Sequence, residues 1–155
     1  MWYPALMKTL DELNMPLQLR KWIFVWLQNR TMSISHGDAE SRLIRISVGA
    51  PQGSVLAALL FRIHVHFLPS YFTQVVSHLF ADDLTIVIKG ALELKMTDNL
   101  TYLEQQAKIV LRSLEKFAND HILPVNVTTT KGMIIHNAVT VSNPIIKYKE
   151  IFIEY

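Results

Sequence analysis

The chain has 155 residues, half of them hydrophobic, with 15 Lys and Arg against 13 Asp and Glu for a net charge of +2. That length and oiliness suit one ordinary globular domain and exclude a disordered chain. The near-balanced charge neither announces nor excludes a nucleic-acid partner, and the absence of cysteine rules out disulfides and thiolate zinc sites and inclines the reading toward an intracellular protein.

The opening MWYPALMKTLDELNM lacks the basic region and the unbroken apolar run of a signal peptide. Pro4 opens a first helix, where its missing N–H costs nothing, and Leu6, Leu10 and Leu13 recur at helical spacing. Pro16 interrupts, and a second helix runs to about Asn29. Its apolar face is Leu19, Trp22, Ile23, Trp26 and Leu27, assigned to core packing in preference to base stacking. Arg20, Lys21 and Arg30 are read as solvated surface, with phosphate contact as the alternative.

TMSIS and LIRISV alternate, with SHGDAES between them, and predict a hairpin with Gly37 in its loop. Gly49-Ala50-Pro51-Gln52-Gly53 breaks the strand, and Ser54 caps a helix from Val55 to about Phe67 that Pro69 and Ser70 end. The apolar tract VLAALLFRIHVHFL contains Arg62, His64 and His66 and is too short and too polar to span a bilayer, so no membrane partner is expected. YFTQVVSHLF reads as a strand and LTIVIK as its partner, separated by Ala81, Asp82 and Asp83 in a tight hairpin.

A long helix follows, roughly 91–119, with the stripe Leu100, Leu103, Ala107, Val110, Leu114 and Phe117 that a helix laid on a sheet needs. The remainder reads as short β segments, with turns or bulges at Lys131-Gly132 and His136-Asn137. The fold class expected is α+β, an antiparallel sheet packed on helices in one domain. The six histidines show no ligand spacing and are read as surface or satisfied core. Arg42, Arg45, Arg62 and Lys89 are read as solvated rim, with a salt-sensitive nucleic-acid track as the alternative.

Asp82 and Asp83 carry the chemical question. Two ionised carboxylates side by side are expensive to bury and repel each other. They belong at a turn open to water, or on a cation. Glycosidase chemistry wants its carboxylates several ångströms apart. Hard divalent cations such as Mg²⁺ take one or two carboxylates together with substrate phosphates. A surface Asp-Asp turn is the plain alternative, and the apolar strand on each side favours a rigidly held pair.

LQNRT, then VGAPQGSVLAALLF, then LFADDLTIVI, in that order, resembles the reverse-transcriptase domain of non-LTR, LINE-like retrotransposons. The resemblance covers nearly all of the chain. It implies a partial palm and fingers, with a fingers-like part over roughly 1–53 and a palm-like part over 54–155. It implies RNA-directed DNA polymerase chemistry: dNTP addition to a DNA primer on an RNA template with two Mg²⁺ or Mn²⁺ ions. Asp82 and Asp83 become the catalytic and metal-binding carboxylates, with Asp82 the principal ligand. Pro51, Gln52, Gly53 and Ser54 line the template and nucleotide pocket, and Phe80 and Ala81 lie near the primer terminus. Lys131 stands two positions beyond where the family places its lysine near pyrophosphate, and Glu150-Ile151-Phe152 replaces the glycine of the primer-gripping hairpin. The family's first metal-binding aspartate sits on a strand before the first helix, and Asp11 is no substitute for it. The resemblance therefore implies a truncated domain, inactive as an isolated chain. The alternatives are a non-catalytic nucleic-acid-binding module and an orphan interaction fragment whose oily faces expect other parts.

Overall fold

In the computed structural model the described residues are 1–51, 53–91, 93–136 and 143–155. They fall into two units, Met1–Phe67 and Leu68–Tyr155.

The first unit is built on three helices, α1 (Tyr3–Glu12), α2 (Leu17–Gln28) and α3 (Val55–His64). Pro4 lies in the first turn of α1, as its fixed φ favours. Tyr3, Leu6 and Leu10 of α1, Ile23 and Leu27 of α2 and Leu60 of α3 form one core. Thr9 is buried among them and donates its hydroxyl to the Ala5 carbonyl at 3.1 Å, so the polar atom enters the core satisfied. Asp11 and Arg20 join α1 to α2 as an ion pair.

The apolar face expected on α2 is narrower than predicted. Only Ile23 and Leu27 are buried; Trp22 is 54% exposed and Leu19 is exposed too. Trp22 lies parallel to Trp26, with ring centroids 6.2 Å apart, so Trp22 shields part of its surface on a neighbour one turn away instead of in the core.

Between α2 and α3 the expected hairpin is two nested ones. Strand β1 (Thr31–Met32) pairs antiparallel with β4 (Ile44–Arg45). The segment predicted as its loop forms a second pair, β2 (Ser35–His36) with β3 (Ala39–Glu40), closed by Gly37 at φ 60°. The third helix ends at His64, short of the predicted Phe67, and Pro69 and Ser70 sit in a separate 3-10 turn, Leu68–Tyr71.

The second unit packs the hairpin β5 (Val76–Phe80) and β6 (Asp83–Val87) on the long helix α4 (Met96–His121). Leu84, Ile86 and Ile88 point to the helix side, where Leu68, Phe72, Val110 and Phe117 are buried and Leu114 packs against them. Tyr71 and Phe72, predicted as strand, belong to the 3-10 turn and this core, so β5 is half the expected length. Helix α4 starts at Met96, not at Ala91, because the Asn99 side chain accepts the Ala91 N–H at 3.0 Å and holds the chain in a non-helical loop. A Cβ on Gly90 would lie 2.7 Å from that same amide oxygen.

The tail is less β-rich than expected. Val127–Thr129 is a 3-10 turn, with the Thr129 and Thr130 hydroxyls both donating to the Asn126 carbonyl. Strands β7 (Lys147–Tyr148) and β8 (Ile151–Phe152) form a short hairpin against α4. The turn predicted at His136-Asn137 reaches outside the described residues. Helices with four two-stranded antiparallel ladders among the described residues make the mixed α+β class expected.

Candidate functional site

The β5–β6 register places every residue of the candidate site. Val76 pairs with Val87, His78 with Thr85 and Phe80 with Asp83, and these alternate with Ser77–Ile86 and Leu79–Leu84. Side chains along a strand alternate between faces. Leu84 and Ile86 face α4, so Val76, His78, Phe80, Asp83, Thr85 and Val87 share the opposite, open face. Phe80 is 83% exposed at the turn end of this face, and Val76 and Val87 are exposed at its other end.

Asp83 is thus the first residue of β6, and the turn contains only Ala81 and Asp82, one residue fewer than predicted. Two-residue hairpin turns need a positive φ at the first position, normally supplied by glycine or asparagine. Here Ala81 supplies it, at φ 51°. An L-residue with a Cβ in that region is strained by about 1–2 kcal/mol, and such outliers concentrate at functional sites.

Both carboxylates are exposed, and neither makes an ion pair or hydrogen bond among the described residues. Their oxygens are uncommitted. That donor set fits a hard divalent cation, which takes carboxylate oxygen and leaves its other positions to water and phosphate. Among the described residues no group of three or more His, Cys, Asp or Glu comes together. Asp82 and Asp83 therefore stand as a pair of adjacent carboxylates with no third ligand-type residue beside them among the described residues.

Pro51, Gly53 and Ser54 stand in the first unit, just before α3. The Ser54 N–H donates to the Pro51 carbonyl at 3.2 Å, and Gly53 lies at φ 82°, so glycine is required there by conformation. A Cβ on Gly53 would meet no atom within 4 Å, which leaves the space beside the turn open. The Ser54 hydroxyl accepts the Leu56 N–H at 3.2 Å and caps α3 as predicted. Gln52 lies outside the described residues.

Lys131 is in the second unit, where it bridges Glu154 in parallel register. Its ammonium is ion-paired with the Glu154 carboxylate. That hydrogen bond, and then the charge of Lys131, hold the Glu154 carboxyl below its ordinary range. The register puts two further residues on the face of Phe80 and Asp83: Thr85, which the sequence does not single out, and His78, which the sequence reads as surface or satisfied core. Period-two alternation carries that signal, counted forward from Asp83 to Thr85 and back from Phe80 to His78, once Asp83 is recognised as strand.

No helix among the described residues is long and apolar enough to cross a membrane. No curated protein and no solved structure matches the chain. A family model described as reverse transcriptase (RNA-dependent DNA polymerase) matches residues 1–148. Since that match runs through both units and takes in the PQGS turn and the carboxylate hairpin together, the chain belongs to the reverse transcriptase family, whose members in general work on a template, a primer and deoxynucleotides.

Proposed function

We propose that this chain is the palm and part of the fingers of a reverse transcriptase of the non-LTR retrotransposon type, extending a DNA primer on an RNA template. The observation that carries the reading is the pair of uncommitted carboxylates, Asp82 and Asp83, on a strained two-residue turn with exposed Phe80 alongside. In this reading Asp82 and Asp83 hold Mg²⁺ or Mn²⁺. Such ions, held by Asp82 and Asp83, would supply Lewis-acid activation of the primer hydroxyl and neutralise charge on the pyrophosphate leaving group. The chain's own contribution is positional. The hairpin fixes the carboxylates on a rigid support. Phe80 offers an apolar surface to the primer-terminal nucleotide, and the open side of the Gly53 turn leaves room for template or nucleotide.

Two carboxylates under-ligate a two-ion centre, and the described residues bring no third one to them. We therefore expect the chain by itself to bind primer–template without extending it, and to need a further carboxylate for turnover. Primer extension on an RNA template, run in Mg²⁺ and in Mn²⁺, tests this. Salt-sensitive retention of the duplex without incorporation agrees with the reading. Incorporation that survives Asp82→Asn and Asp83→Asn contradicts the assigned role of the pair.

A further inference from the structure

Helix α4 carries a second feature, on the side away from the β5–β6 hairpin. Lys108, Arg112 and Lys116 follow one another at intervals of four residues, and all three are exposed. At 3.6 residues per turn they fall opposite the Val110, Leu114 and Phe117 side that packs on the hairpin. Four residues advance the helix by about 6 Å, so the stripe repeats at a spacing of the order of successive phosphates on an extended strand.

Lys108 and Arg112 line a groove between α4 and residues 145–150, and Lys147 stands on its other wall. The groove also contains three carboxylates, Glu104, Glu115 and Glu150, against Lys108, Arg112, Lys147 and Lys149, and its excess of positive charge is extended along α4 by Lys116. Glu104 accepts the Ile145 N–H at 2.7 Å, and Glu115 pairs with Lys149 at 3.9 Å. Lys108, Arg112, Lys116 and Lys147 have no carboxylate partner among the described residues. Like charges four apart destabilise a helix by a few tenths of a kcal/mol per pair.

We propose that Lys108, Arg112 and Lys116, with Lys147 across the groove, form a track for the phosphodiester backbone of a single-stranded nucleic acid. The track is separate from the carboxylate hairpin and lies on the opposite side of the sheet-and-helix layer. It rests on the reading that the protein handles nucleic acid, and it adds a path for a strand before or after the reaction. Arginine grips phosphate in a planar fork and lysine as a point charge, so the mixture suits a backbone whose phosphates vary in orientation. Binding of this kind is insensitive to base sequence and falls steeply with salt.

The test measures the salt dependence of binding to a labelled single-stranded RNA by fluorescence anisotropy, for the wild type, for K108Q/R112Q/K116Q, and for K8Q/K95Q as a charge control. Each phosphate contact contributes about 0.7 to the slope of log K against log salt, so the triple variant is expected to lose about 2 units of slope. Its affinity at low salt is expected to fall at least tenfold, with the control unchanged. The three positions are exposed, and circular dichroism confirms that the variant keeps its helices. Wild-type binding whose slope is the same in the triple variant overturns the track and leaves the polymerase reading standing. A wild type that does not bind RNA overturns both. Equal binding of a poly-glutamate chain would mark a general anion surface and also overturn the proposal.

Discussion

Phe80 and Asp83 are the closing pair of the β5–β6 ladder, so the aromatic ring and the carboxylate leave the sheet on the same face. That face is the one not covered by α4. The pairing makes Asp83 a strand residue with a defined direction and leaves Asp82 alone with Ala81 in the turn. Two adjacent carboxylates are then presented from two backbone settings, one pleated and one at the bend. A reactive pair needs this asymmetry if one group is to face a cation while the other sits to its side.

The strain at Ala81 gives a stability prediction. Glycine removes the Cβ clash at φ 51° but is freer in the unfolded chain. The net effect of Ala81→Gly is a gain of about 0.5 to 1 kcal/mol, since the steric relief of about 1–2 kcal/mol exceeds the entropic loss. Ala81→Val goes the other way. Urea unfolding of the two variants beside the wild type measures both.

The core of the second unit depends on Phe117. It is fully buried, meets Tyr71 edge-on at 5.1 Å and stacks on His121 at 3.9 Å. Phe117→Ala is expected to cost about 3–5 kcal/mol, the range for an aromatic removed from a core. Hydrogen exchange of the β5–β6 amides should rise with it, because the hairpin's apolar side rests on this cluster.

The hairpin was legible in the sequence because β-branched and aromatic residues flank the two aspartates and nothing else in that stretch offers a turn. The length of the turn was not, because nothing in the letters says that an alanine will accept a positive φ. The helical stripe on α4 was legible for the same reason that it is buried: Ala107, Val110, Leu114 and Phe117 repeat with the helix. Its start was not, because a side-chain bond from Asn99 to the Ala91 amide competes with the first turn. The spacing of Trp22 predicts core, yet its exposure depends on how much of α2 its neighbours cover, which is a tertiary matter. The threonine-rich tail reads as strand by propensity, and hydroxyl bonds to the Asn126 carbonyl turn it into a 3-10 bend. The Pro51–Ser54 turn was readable as punctuation, and its glycine follows from the conformation.

Glu154 sets an acid-side prediction. Its carboxyl is held below the ordinary range, first by the hydrogen bond from Lys131 and then by that residue's charge. A group with a lowered folded pKa stabilises the fold above its unfolded value, and the contribution is lost as pH falls through the folded one. The contact between Lys131 and the chain end is therefore expected to loosen only below the usual glutamate range. Lys131→Met should return Glu154 to that range, as a carboxyl NMR titration would detect. A Glu154 pKa that is the same in both proteins would contradict the pairing.

Tyr148 sets an alkaline one. Burial, and then the nearby Glu115 carboxylate, push its phenol above the ordinary tyrosine value. A raised folded pKa gives stability that is complete below the unfolded value and is lost as pH rises through the folded one. Ultraviolet titration should find Tyr148 ionising after the exposed tyrosines, and Glu115→Gln should bring its transition earlier.

The most direct test of the carboxylate pair is a Mn²⁺ titration followed by paramagnetic broadening of backbone amides. Saturable broadening centred on Phe80–Leu84 is expected in the wild type. Asp82→Asn should weaken it at least tenfold, about 1.4 kcal/mol of binding energy, and the double variant D82N/D83N should abolish it. Broadening that spares the hairpin, or that is identical in the wild type and the double variant, would contradict a metal-binding role for Asp82 and Asp83.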